Sequence, residues 1–197
     1  MEIVQATSGI YHNQRNHMRD ELLSKEQFAE YYHTYYDRVY KYIYYRISQH
    51  YTAEDICSHV FEMVISKYHS FSPEKSNFEV WLFAIARNAV TDYFRSQKKR
   101  AFFSLDTLME LVMPRSTPED IAISNDEQQY LFKALAKLSD KERNILAMKY
   151  AADLKNSEIA DLLGLSAANI GVVLYRSLKK LHKELGTEGD LYEQRGS

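Results

Sequence analysis

The chain has 197 residues, 45% of them apolar and 26% charged, with a formal net charge of −2. That length suits one large or two small domains with their own cores, and the near-neutral balance excludes a histone-like, nonspecific DNA binder. Six glycines and three prolines argue against a turn-rich all-β fold, and the single cysteine excludes both an intramolecular disulfide and a cysteine-based metal cluster.

Residues 1–24 mix polar with scattered apolar positions and read as a loose tail, with a helical tendency near Met18 to Leu23. They lack the order of a signal peptide, and no apolar run in the chain approaches the roughly 18 to 20 residues that span a bilayer. The expectation is a cytoplasmic protein without direct membrane insertion. From Phe28 the pattern changes. Phe28, Tyr32, Tyr35, Val39, Ile43 and Ile47 recur at helical spacing and predict a long amphipathic helix to about Ser48. The tyrosines between them (Tyr31, Tyr36, Tyr40, Tyr44, Tyr45) widen its apolar face and read as core, with phenols reaching the surface.

Thr52 is positioned to cap the next helix, with Asp55 at its N3 position. Ile56, Val60, Phe61, Val64 and Ile65 form its apolar face, Cys57 packs beside them, and Glu54, Asp55, His59 and Glu62 fall outside. His59 has no second histidine or cysteine at metal spacing, so no metal site is expected. Phe71 to Phe78 reads as a loop from its proline, serines and asparagine. In the helix expected over Phe78 to Arg100, Trp81, Leu82, Ile85, Ala89 and Val90 make the core side. Arg87, Asn88, Thr91, Asp92 and Arg95 lie on another face. Five cations against Asp92 give the Arg87–Arg100 segment a local charge of +4, suited to a nucleic-acid backbone plus a few bases.

Residues 101–125, with Pro114 and Pro118 and little periodicity, read as a linker carrying a short apolar anchor at Leu105 to Met113. Asp126 to Leu138 is expected as a helix, and Ser139 caps the next, whose Ile145, Leu146 and Met148 pack onto it. The stretch from Asn156 to Leu181 reads as two short helices and a tight turn. Ile159, Ala160, Leu162 and Leu163 line the first, Gly164 ends it, and Ser166 caps the second. Ile170, Val173, Leu174, Leu178 and Leu181 then form one buried face. This is a helix-turn-helix pattern, in which the second helix enters the major groove. An ordinary helical hairpin needs the same apolar spacing; the small Ala160, the glycine and the serine cap favour the DNA-binding form. A second basic group, Arg176, Lys179, Lys180 and Lys183, follows it, Gly186 is expected to stop the helix, and 186–197 read as a polar tail.

Two blocks together resemble one family. Trp81-Leu82-Phe83-Ala84-Ile85-Ala86-Arg87-Asn88 resembles region 2 of bacterial extracytoplasmic-function sigma factors, and Ala53-Glu54-Asp55-Ile56 with Phe61 resembles its polymerase-binding helix. Leu138-Ser139 through Arg143, Glu158-Ile159-Ala160 and Leu163-Gly164-Leu165-Ser166 resemble region 4. The likeness runs in order from about Phe28 to Leu185. It implies an all-α chain: a region 2 domain (25–100), a flexible linker (101–125) and a region 4 domain (126–185). It also implies a non-enzymatic, cofactor-free subunit that binds the clamp and flap of core RNA polymerase, promoter DNA and an anti-sigma factor.

By the same resemblance Asp55, His59 and Glu62 face core polymerase. Phe71, Asn77, Phe78, Trp81, Arg87, Asn88, Asp92 and Arg95 serve the minus-ten element, where a flipped base is held by stacking and edge hydrogen bonds. Ser166, Ala167, Ala168, Asn169, Val172, Tyr175, Arg176 and Lys179 serve the minus-thirty-five element. The chain departs from the family with Ser58-His59 where Gln-Glu is frequent, and with Asn169, Gly171 and Val173 where threonine and two basic residues are frequent. Small apolar groups can pack on thymine methyls and Asn169 can bond an adenine edge, so an A/T-rich minus-thirty-five element is expected. The alternative class, a stand-alone helix-turn-helix repressor or activator, gives no use to the arginine-asparagine helix after Trp81. A nucleic-acid enzyme lacks a metal-spaced His/Cys set and a Gly-rich phosphate loop.

Overall fold

The computed structural model describes residues 23–103 and 126–193, and among them every regular element is a helix. The helical tendency expected near Met18 to Leu23 lies outside the described residues except for Leu23, which is not helical, and the anchor expected at Leu105 to Met113 lies wholly outside them.

Helix α1 (Lys25–Ile47) starts three residues earlier than the apolar spacing suggested. Its signal is a capping box: Ser24 Oγ accepts from the Gln27 amide at 3.1 Å, and Gln27 Oε1 accepts from the Ser24 amide at 3.1 Å. It ends on Ser48, whose φ of +63° turns the chain sharply into α2 (His50–Lys67). Thr52 is therefore inside α2 rather than its cap. Gln49 stands at the N-cap, and the Thr52 hydroxyl donates to Gln49 Oε1 at 3.1 Å. Ala53, Cys57, Val60, Phe61 and Val64 are buried, but Ile65 is 53% exposed. A stripe of positions three and four apart is narrower than an arc that includes both 64 and 65, and the core keeps only the first.

A 3₁₀ turn (Tyr68–Ser70) and the loop to Asn77 lead to α3 (Phe78–Phe103), which runs past the expected end into 101–103. Leu82, Phe83, Ala86 and Val90 form its core side, while Trp81, Ile85 and Ala89 are half-buried. Around Val39, Tyr42 and Ile43 these three helices close the first domain.

The second domain has α4 (Asp126–Ala136), α5 (Asp140–Tyr150), α6 (Asn156–Leu163) and α7 (Ala167–Glu193). Ser139 caps α5 as expected, accepting from the Glu142 amide at 3.3 Å while Glu142 Oε2 accepts from the Ser139 amide at 2.9 Å. Ile145, Met148, Leu154, Ile159 and Ile170 are fully buried. Gly186 does not stop α7, whose backbone stays helical to Glu193; a glycine inside a helix costs only about 1 kcal/mol against alanine, and no proline follows.

The two domains touch. One continuous cluster of buried side chains runs from Val39 to Leu174, and α1 lies along α5.

Candidate functional site

The helix-turn-helix is built by local chemistry. Lys155 precedes α6, and Glu158 Oε2 accepts its amide at 2.7 Å. Gly164 closes α6 with φ of +64°, a conformation cheap only for glycine, and the Leu165 amide donates back to the Ala160 carbonyl at 3.0 Å. Ser166 then caps α7, its Oγ accepting from the Asn169 amide at 3.2 Å. The two helices meet at a bend of 104°.

The Ile170 and Leu174 side of α7 is buried, and Ala167, Ala168, Asn169, Val172, Tyr175, Arg176 and Lys179 face solvent with Ser166 just before them. Val172 and Tyr175 are 48% and 70% exposed, an unusual display of apolar surface on a helix whose other side is packed. The cap uses the main-chain amide of Asn169, so its side chain is left over; among the described residues it has no hydrogen bond. Nothing in the packing requires Gly171, since a Cβ there would meet only Asn156 Nδ2, at 3.9 Å. Lys180 does not join a row of free cations with Lys179: it pairs with Glu142, whose carboxyl is held down to about 2, first by that bond and then by Ser139.

The second surface lies on α3 and the loop before it. Asn88, Asp92 and Arg95 are exposed on one side of α3, with Arg87 half-buried beside them. Arg95 Nη1 donates to Asp92 Oδ1 at 3.0 Å, which removes part of its free charge. Lys98, Lys99 and Arg100 continue along the exposed end. Phe71 and Trp81 sit half-buried with ring centroids 5.4 Å apart, and Tyr68 meets Trp81 edge-on. Phe78 is packed more deeply, 9% exposed and stacked on Tyr31 at 3.8 Å between centroids. Asn77 caps α3, its Oδ1 accepting from the Val80 amide at 3.0 Å, and its Nδ2 donates to Glu158 of the second domain at 3.3 Å. Aromatic walls beside a basic helix are what a strand with unpaired bases needs.

On α2, Asp55 is exposed and has no partner among the described residues, while His59 and Glu62 pair with each other at 3.5 Å. Cys57 is buried, and burial pushes its thiol up to about 12, so it is a packing group. No group of three or more His, Cys, Asp or Glu among the described residues is arranged to hold a metal ion.

Residues 31–100 match Sigma-70 region 2, and residues 128–181 match Sigma-70, region 4. This chain belongs to the sigma-70 family, in its extracytoplasmic-function class. Among curated relatives, the ECF RNA polymerase sigma factor BldN of Streptomyces coelicolor is 28% identical over 160 residues. That alignment covers 81% of this chain but only 61% of BldN. The ECF RNA polymerase sigma factor SigX of Bacillus subtilis is 25% identical over 165 residues, covering 82% of this chain and 84% of SigX. In fold, the chain is similar to the sigma factor RpoE solved with the anti-sigma factor NepR from Bartonella quintana. The TM-score is 0.67 at 22% identity, over 82% of this chain and 98% of that one. CnrH, solved with the cytosolic domain of CnrY, gives 0.64 at 18% identity, over 83% of this chain and 90% of that one. The sigma factor thus directs RNA polymerase to promoters, and a region 2 match over the first domain disfavours a stand-alone repressor with a sensor domain. Sigma factors are transcription regulators rather than enzymes. Among the described residues no single helix is long and apolar enough to cross a membrane.

Sequence reasoning missed one surface. Leu131, Leu135, Leu146, Tyr150, Leu178 and Leu181 line an apolar cavity of about 250 Å³ on the second domain, with Tyr45 of the first domain at its wall. Leu178 and Tyr150, expected respectively as core and left unassigned, are 39% and 62% exposed beside it. Periodicity marks an apolar face without saying which part another element covers.

Proposed function

We propose that this sigma factor divides its work among four surfaces and acts in the cytoplasm without catalytic residues of its own. The carrying observation is α7: its cap and core contacts are complete without Asn169, Val172, Tyr175, Arg176 or Lys179, so all five are free to meet DNA. Asn169 reads an adenine edge and the apolar groups pack on thymine methyls of a minus-thirty-five element, while Arg176 and Lys179 hold phosphates. The exposed side of α3 and the Phe71–Trp81 aromatic wall take the minus-ten element as its strands separate.

Asp55, with His59 and Glu62, meets basic groups of the polymerase clamp. The apolar cavity between α4, α5 and α7 takes an apolar segment of the flap. An anti-sigma protein, of the kind with which RpoE and CnrH were solved, holds the chain inactive. The test is to add the purified chain to sigma-free core polymerase with a promoter library. Enrichment of paired elements with an A/T-rich upstream half supports the reading; equally tight, sequence-specific binding by the chain alone overturns it.

A further inference from the structure

The contact between the domains is not a loose apposition. Along α1, Arg38, Tyr42 and Arg46, which also touch α3, meet α5 and the turn after it. Tyr42, fully buried, donates its hydroxyl to Asn144 Oδ1 at 2.8 Å. Arg46 Nη1 donates to the Asp140 carbonyl at 2.9 Å, and Arg38 Nε to the Ala152 carbonyl at 3.0 Å, while Arg38 also pairs with Glu79. In the opposite direction Arg143 Nε donates to the Tyr45 carbonyl at 2.7 Å, and its Nη2 to Ser48 Oγ. Phe132 meets Tyr44 edge-on, with centroids 4.9 Å apart.

These bonds satisfy geometry better than charge. Arg46 and Arg143 are close like charges, and their bonds across the interface go to main-chain carbonyls and a serine hydroxyl rather than to carboxylates. Burial, and then Arg46, push Arg143 down to about 10. Arg46 is 8% exposed, and its Nε is buried with no hydrogen-bond partner. An unpaired buried donor, and two neighbouring guanidinium groups whose burial Asp140 offsets only in part, make the contact specific but costly to form.

We propose that this is a closed state of the free chain, in which Arg38, Tyr42, Arg46 and Arg143 latch the domains together and withhold them from polymerase. The proposal rests on the sigma-factor reading for what is withheld. The two promoter elements lie about 25 base pairs apart, roughly 85 Å of duplex at about 3.4 Å per step. Domains joined by side-chain hydrogen bonds cannot reach both. Residues 104–125, drawn out, span about 70 Å at ~3.3 Å each, so the same chain reaches them once the latch opens. The closed state also sets Tyr45 on the rim of the apolar cavity, so the flap and the latch compete there. Because the latch compensates this guanidinium charge only in part, an acidic polymerase or nucleic-acid surface lowers the cost of opening it.

The test uses the full chain with spin labels at Ser66→Cys and His182→Cys, both exposed; buried Cys57 stays unlabelled. A narrow interdomain distance distribution in the free protein, broadened in Tyr42→Phe/Arg143→Gln, is expected. The double variant should also bind core polymerase about tenfold more tightly, since apparent affinity scales with the open fraction. Asn144→Ala reaches the same contact from the other side without touching Tyr42, and should act in the same direction. In a third arm, Ser48→Cys and Arg143→Cys are bridged by a bis-methanethiosulfonate, which forms a disulfide to each thiol with release of sulfinate and is cut by a reductant. Core binding should be lost while the bridge holds and return when it is cut. A broad distribution in the free wild type, or unchanged core binding by the bridged protein, overturns the latch. Failure of the wild type to bind core at all instead removes the sigma-factor reading, and the distances still decide whether the domains are latched.

Discussion

Asn169 stands where a reading role and a structural role are most easily confused, and two substitutions separate them. Ser166→Ala removes the oxygen that accepts the Asn169 amide at 3.2 Å, so it should destabilise the second domain by about 1 kcal/mol. For a domain of this size that is a fall of roughly 4 to 8 °C in its melting temperature. Asn169→Ala keeps both the serine and the amide. Its own side chain is exposed, and alanine has the higher helix propensity, so stability should be unchanged or raised by a few tenths of a kcal/mol. Base reading behaves in the opposite way. Loss of a bidentate amide–adenine contact costs about 1 to 3 kcal/mol at the preferred pair, a five- to 150-fold drop that vanishes when that pair is changed. The assay is therefore double: thermal denaturation of each variant, and binding of each holoenzyme to a promoter set varied one base pair at a time. An Asn169→Ala protein that melts as early as Ser166→Ala and keeps the wild-type promoter preferences would refute the reasoning.

Three further outcomes are expected. Asp55→Ala should fold as the wild type, since Asp55 is exposed and unpartnered among the described residues, yet lose about 1 to 3 kcal/mol of affinity for core polymerase in a pull-down titration. Lys179→Ala should weaken all promoters alike and reduce the slope of log affinity against log salt by about one, whereas a change confined to one promoter would make Lys179 a base reader. Glu142 is held at about 2 when folded against an ordinary value of 4.5, so its contribution is complete above 4.5 and lost as pH falls from there through 2. Glu142→Gln should accordingly be less stable than wild type at pH 6 and equal to it by about pH 2; a constant difference across acid titration would show that Lys180 and Ser139 do not set this carboxyl.

The features that the sequence by itself determined are those whose partners lie within one helical turn. The Ser139 and Ser166 caps bond an amide three residues on, and Gly164 supplies a backbone angle on its own account; each is complete before the chain has any tertiary structure. The exposure of the front of α7 follows from the same spacing that buries Ile170 and Leu174. What only the tertiary structure decided are contacts between residues 94 to 114 apart: Arg38 with Ala152, Tyr42 with Asn144, Arg46 with Asp140 and Arg143 with Tyr45. In the sequence Arg38 and Arg46 are ordinary cations on an amphipathic helix, and Tyr42 is one aromatic among 16 tyrosines. Nothing within a few residues tells such a side chain whether it meets water or a carbonyl of another domain. Ile65 shows the reverse: it sits beside buried Val64 yet stays half-exposed, because helical periodicity gives the direction of a side chain and only the neighbouring helix decides how wide the covered face is.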